Sequence, residues 1–280
     1  MEMDDDELPS FQNAMLISRS NPLRARCVES WAMSQFARHA LSKQTDALEQ
    51  SILLFTETIF LPHALDSEGD PVDIIKVFYF LAGAIFQRAD EYRRPEDVKH
   101  CMVYLRYMRG HCREVLNRPR FAVTELLVRA MAIQVVMEIG DVVQNLEEMA
   151  DLFYELLNSN TSMAALTPPI TTFAGAIDHH FGGVLHRQSP SKKLFECLRK
   201  AQICLPDQHD VSIVLAKCLF NRFKTTPLDD DYKEGMSILD KIILFRGPGD
   251  TSSPYRERAL KLAGMFAQTQ FSRSGKPEDL

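Results

Sequence analysis

No apolar run in this 280-residue chain approaches the ~18–20 residues that a helix needs to cross a bilayer. Ser51–Phe55 and Phe78–Leu81 are far shorter, and no membrane span is expected. Basic charge is in deficit, with 32 Lys and Arg against 38 Asp and Glu and a net charge of −6. Nucleic-acid binding is dominated by phosphate neutralisation, so no nucleic-acid partner is expected. The opening residues Met1–Glu7 are acidic, the opposite of a signal peptide's basic start, which points to an intracellular, cytoplasmic protein. The six cysteines (27, 101, 112, 197, 204 and 218) contain no C-x-x-C pair and read as reduced, buried thiols. There is no G-x-x-x-x-G-K-[S/T] phosphate loop, and no cofactor is expected. Sustained period-2 alternation is missing too, which excludes a strand-rich fold.

What is present is a repeat. Leu81–Leu105 carries two apolar stripes at helical spacing, Leu81/Ala82/Ile85/Phe86 and Val98/Met102/Leu105. Between them lies Arg93-Arg94-Pro95-Glu96-Asp97. Pro95 disfavours helix at Arg94 and suits the first turn of a new helix, whose positive end favours Glu96 and Asp97. The unit therefore reads as helix, short turn, helix. Leu215–Leu239 repeats this grammar, and Leu81 to Val98 and Leu215 to Tyr232 both span 17 positions. Echoes recur at Trp31–Leu48 and Leu262–Leu280.

Taken in order, the pattern predicts pairs at Leu23–Leu41 with Asp46–Leu61, Val72–Arg93 with Pro95–Leu116, and Phe121–Ile139 with Asp141–Leu157. Further pairs are predicted at Ile170–Leu185 with Ser191–Leu205 and at Val211–Lys224 with Asp229–Phe245, then a single helix from Pro254 to Phe271. Gly140 is expected at a helix C-terminus, Asp141 as an N-cap, and Asn117–Arg120 and Asn158–Pro169 as connectors. The second-helix anchors Leu48, Val98, Val142, Leu194, Tyr232 and Leu280 are spaced 50, 44, 52, 38 and 48 apart, with a mean of roughly 46. The expected fold is all-α, an α-solenoid of about five and a half helix-turn-helix repeats over 21–280. Residues 1–20 are expected to form an acidic, partly disordered arm. Because the pattern stops inside a repeat, self-association through an uncapped last unit is expected.

Thr45–Ile52, Arg94–Val98, Asp229–Tyr232, Gly247–Thr251, Ser253-Pro254-Tyr255 and Pro277–Leu280 resemble tetratricopeptide-like repeats of long proteins from mushroom-type fungi. The likeness covers almost the whole chain after about residue 20, although the standard tetratricopeptide period is nearer 34. In that family such repeats often precede a CHAT domain, a caspase-like cysteine peptidase module. Neither that module's His-Gly-type segment nor its later Cys segment is found here. The resemblance implies a protein-interaction array, or alternatively the regulatory segment of a CHAT-type peptidase.

Residues that could carry chemistry are few. His100-Cys101 and His111-Cys112 are sequence neighbours, which point about 100° apart on a helix, so neither forms a dyad. The two pairs lie roughly 16 Å apart along a helix and cannot share a metal. His179-His180 has no further ligand one turn away, so no metal site is expected. Glu147-Glu148 and Asp229–Asp231 read as helix-start or solvated acids.

One polar feature recurs on the first helices: Gln87-Arg88, Asn221-Arg222, and Arg38 close after Phe36. In such arrays the first helices line the concave groove, where these residues could hold a peptide's backbone or carboxylates. They could equally pair with nearby acids and brace the turn. The expectation is a non-catalytic scaffold binding a protein or peptide partner. A helical enzyme, or a degenerate product with no selected function, are the competing readings.

Overall fold

A computed structural model of the chain describes residues 16–19, 22–61, 74–111, 117–158, 162–181, 190–226, 228–245 and 254–275. Among these the fold is all-α, with no strand. The helices are α1 (Pro22–Ser42), α2 (Thr45–Phe60), α3 (Ile74–Tyr92), α4 (Pro95–His111), α5 (Asn117–Val136) and α6 (Val142–Leu157). They continue as α7 (Met163–Phe181), α8 (Lys192–Cys204), α9 (His209–Thr225), α10 (Asp229–Leu244) and α11 (Pro254–Ser274). No described helix is long and apolar enough to cross a membrane. Residues 1–15 and 20 of the expected arm, the connector at His63–Pro71, Gly182-Gly183, Gly247-Pro248-Gly249, Cys112 and residues 276–280 lie outside the described residues.

The chain divides into two compact units, Met1–Ala130 and Met131–Leu280, the boundary falling within α5. In the first, α1 packs on α2, α2 on α3 and α3 on α4, and the first helices α1 and α3 also touch. In the second, each helix from α6 to α10 packs on its successor, and first helix meets first helix at α7–α9 and α9–α11. This is the neighbour pattern of stacked helical pairs. It follows from the apolar stripes. Val98, Cys101, Met102, Leu105 and Met108 are buried along one face of α4, while Val103 and Tyr107 stay exposed. α9 is buried on nearly all sides, from Val211 to Phe223, because it is clasped by α7, α8, α10 and α11.

Turns obey local chemistry. Lys43 and Arg93, 50 positions apart, each take positive φ (57° and 52°) straight after a first helix, reversing the chain within two residues. Asp141 caps α6 as expected, accepting from the Gln144 N–H at 3.0 Å. Ser191 does the same for α8.

Three expectations are corrected. The αL residue that ends α5 is Glu138 (φ 54°), not Gly140. Ile139 N–H donates to Gln134 O and Glu138 N–H to Val135 O, the paired bonds of a Schellman motif, while Gly140 (φ 74°) serves the following turn. Asn117–Arg120 is the first turn of α5 rather than a connector, because Pro119 falls where helix N–H groups have no partner anyway. α7 begins at Met163, seven residues before its expected start, and carries Pro168 and Pro169 inside. Leu166 is buried on the same stripe as Ile170 and Phe173, and that burial outweighs two missing N–H donors near the helix start.

Candidate functional site

Two of the recurring arginines, Arg88 and Arg222, grip an aspartate on the second helix of their own pair. Arg88 on α3 donates through Nε and Nη2 to both oxygens of Asp97 on α4, at 2.8 and 2.7 Å, and through Nη1 to Glu49 on α2 at 2.5 Å. The Asp97 hydrogen bonds, ahead of the Glu49 one, hold the guanidinium above its usual range. Arg222 on α9 repeats the grip on Asp231 of α10, with Nε at 2.7 Å and Nη2 on the other oxygen. Where Arg88 meets Glu49, Arg222 meets Phe195 of α8, its Cζ 4.1 Å from the ring centroid. Glu49 and Phe195 each follow an anchor residue, Leu48 and Leu194, so one position supplies a carboxylate in one pair and an aromatic face in another. Asp97 and Asp231 are both buried. The acids at Asp229–Asp231 are thus only in part the solvated helix start expected: Asp229 and Asp230 are exposed, and Asp231 is the inner half of an ion pair.

The other candidates separate. Gln87 bonds Glu91 one turn on, at 2.8 Å. Arg38 is half-buried near the end of α1, where Ser42 Oγ donates to its carbonyl. Asn221 is buried, and its Nδ2 donates to the Phe181 carbonyl of α7 at 2.6 Å. Of the five, Asn221 lines a cavity.

That cavity, of about 250 Å³, lies between α9 and α11. Lys217, Phe220 and Asn221 come from α9, and Arg258, Lys261, Leu262 and Met265 from α11. Lys217 donates to Asp178 of α7 at 2.6 Å. Arg258 bonds Asp210 at 3.0 Å and lies 3.8 Å from Asp178. Tyr255 also donates to Asp210, and that hydrogen bond raises its pKa. The ion pairs therefore lace three first helices, α7, α9 and α11, along one side. Lys76 and Glu29, 3.0 Å apart, do the same for α1 and α3. A second cavity, of about 290 Å³, lies between the end of α8, the start of α9 and the end of α10, and includes Ile203, His209, Ile242 and Phe245.

The sequence reading missed Lys217, Arg258 and Lys261. The available signal was Lys217 inside the apolar run of α9, one turn before Asn221. The charged stripe of α11 carries the rest.

The three buried thiols are set against nucleophilic chemistry. Burial pushes Cys101 and Cys218 up to about 12 and Cys197 to about 11. Cys101 Sγ instead donates to Ala82 O, and Cys197 Sγ to Ala150 O, across helix contacts. Among the described residues no three His, Cys, Asp or Glu side chains gather as a metal site. His179 ends α7 exposed, and His180 stands edge-on to Phe181. On α11, Leu260 is the one large apolar side chain among those described that is strongly exposed. No protein-family model matches the chain, and no curated protein matches it.

Proposed function

We propose that the chain is an intracellular, tetratricopeptide-like α-solenoid that acts as a non-catalytic scaffold, its first helices binding an extended segment of a partner protein. One observation carries this reading: every residue lining the cavity between α9 and α11 comes from a first helix, and none from a second. In stacked helical pairs the first helices share one face, so a cleft confined to them opens on that face. At about 250 Å³ the cleft is smaller than a typical small-molecule or cofactor pocket, and matches one or two side chains of a bound segment. The raised thiol pKa values support a binding role over a peptidase one.

The test is selection of peptides on the purified chain from a random display library, followed by binding to variants. Met265→Ala and Lys217→Ala, on first helices, are expected to weaken selected peptides. Tyr154→Ser and Leu53→Ser, exposed on the second helices α6 and α2, are expected to leave them unchanged. Peptides that ignore the first-helix changes and follow the second-helix ones would reverse the assignment.

A further inference from the structure

The cleft between α9 and α11 has a charge sign that the chain as a whole does not. Three cations, Lys217, Arg258 and Lys261, line it in a protein of net charge −6. Two carboxylates answer them: Asp178 takes Lys217 and approaches Arg258, and Asp210 takes Arg258. Lys261 is exposed and has no ion pair among the described residues, so one positive charge remains in excess. The rest of the lining is different. Phe220, Leu262 and Met265 form an apolar wall, with Phe220 and Leu262 themselves buried. Asn221 sits among them with one amide N–H committed to Phe181 O, which leaves its carboxamide oxygen and second N–H to offer.

We infer that this cleft recognises an acidic peptide segment in which one medium-sized apolar side chain is flanked by carboxylates. The apolar side chain enters against Phe220, Leu262 and Met265. A flanking carboxylate meets Lys261, and Asn221 receives a peptide group of the bound backbone. The volume selects one such side chain. Met265 on the wall adapts to the shape of a Leu, Met or Val side chain. The excess charge at the rim selects against a basic segment and speeds the approach of an acidic one. The inference rests on the first-helix reading above and adds the chemistry of the partner to it.

The probe is a fluorescein-labelled, N-acetylated, C-amidated decapeptide with a central Glu-Glu-Leu-Glu-Glu run, measured by anisotropy on the full chain. Three further peptides replace Leu by Ala, replace each Glu by Gln, or end in Glu-Glu-Leu with a free carboxylate. The last separates side-chain carboxylates from a chain terminus as the source of the charge. The expected result is saturable binding that Lys261→Glu weakens about tenfold. Lys192→Glu, another exposed cation, on α8, should change it less than twofold. The Leu→Ala and Glu→Gln peptides should each bind at least about fivefold more weakly.

Equal losses from Lys261→Glu and Lys192→Glu, or equal binding of the Glu→Gln peptide, would overturn the inference. If library-selected peptides bind the first helices yet carry no acid-flanked apolar residue, this inference fails and the first-helix reading stands. If their binding follows the second helices, both fail.

Discussion

Arg222 holds both oxygens of Asp231 nine residues along the chain, and 134 positions earlier Arg88 holds both oxygens of Asp97 across the same nine. In each case the arginine lies near the end of a first helix and the aspartate in the first turn of the second. The pair closes the turn, and its inner half is buried. The third contact, to Glu49 or to the Phe195 ring, ties the pair to the second helix before it. Two copies of one device at matching positions are a physical mark of repetition, separate from the apolar stripes.

Removing Asp231 leaves the Arg222 guanidinium, three-quarters buried, without its counter-charge. Asp231→Ala is expected to destabilise the chain by about 2–3 kcal/mol, below the figure for a fully buried pair because the arginine keeps some solvent. The double variant Arg222→Met with Asp231→Leu should recover most of the loss. Urea midpoints across the three proteins measure this, and an unchanged midpoint for Asp231→Ala would remove the pair from the account of stability.

Gly235 on α10 is fixed by its neighbour. A Cβ there would stand 2.5 Å from the Phe266 ring of α11. That ring is fully buried among Phe220, Phe223 and Tyr232 and has nowhere to go. In a free helix Gly→Ala stabilises by about 1 kcal/mol. Here overpacking of about 1–3 kcal/mol opposes it, and Gly235→Ala is expected to lower the unfolding midpoint. Adding Phe266→Leu should relieve the clash, which a thermal melt of the double variant would show. The equivalent position carries a small side chain in three other pairs, Ser51, Cys101 and Cys197, and Asn145 in α6.

Those thiols give a direct chemical prediction. With pKa values pushed to about 11 or 12, Cys101, Cys197 and Cys218 are protonated at pH 8. An aromatic disulfide reagent should leave all three unmodified in the native protein and label them after unfolding. Half-buried Cys27 and Cys204 should react sooner. Rapid native labelling of Cys101, Cys197 or Cys218, identified by peptide mass, would contradict the burial.

Acid should loosen the first unit through Glu91. Its carboxyl is held below the usual range by the Gln87 hydrogen bond first, then by Lys43 and His39. A carboxylate with a depressed folded pKa stabilises above its unfolded value of about 4.3 and loses that contribution as pH falls through the depressed value. Glu91→Gln is therefore expected to cost stability at pH 7 and to flatten the loss between about pH 5 and 3. Glu125 acts in the opposite sense. Burial raises its pKa, so its ionisation opposes folding above about 4.3, and Glu125→Gln should stabilise at pH 7. Urea titrations at several pH values separate the two.

The helical pairs were legible because each carries its own apolar stripe and many open on a marked start, such as Pro95, Asp141, Ser191 or Pro254. Local signals misled where tertiary burial overrode them. Pro168 and Pro169 read as loop residues until Leu166 is seen to be buried. Glu138 takes the left-handed turn that Gly140 was expected to supply. The candidate site was less legible. A charged residue on a helix reads the same whether it faces water or a neighbouring helix, so Arg222 could be a ligand or a brace, and Asp231 a solvated or a buried acid. Lys217, Arg258 and Lys261 converge because α9 and α11 pack together, and no spacing within either helix states that.

Hydrogen–deuterium exchange of the full chain, with and without a display-selected peptide, tests the first-helix assignment most directly. The account predicts added protection in α9 and α11, centred on Lys217–Asn221 and Arg258–Met265, with α8 and α10 unchanged. Protection confined to α8 and α10, around Ile203 and Phe245, would contradict it.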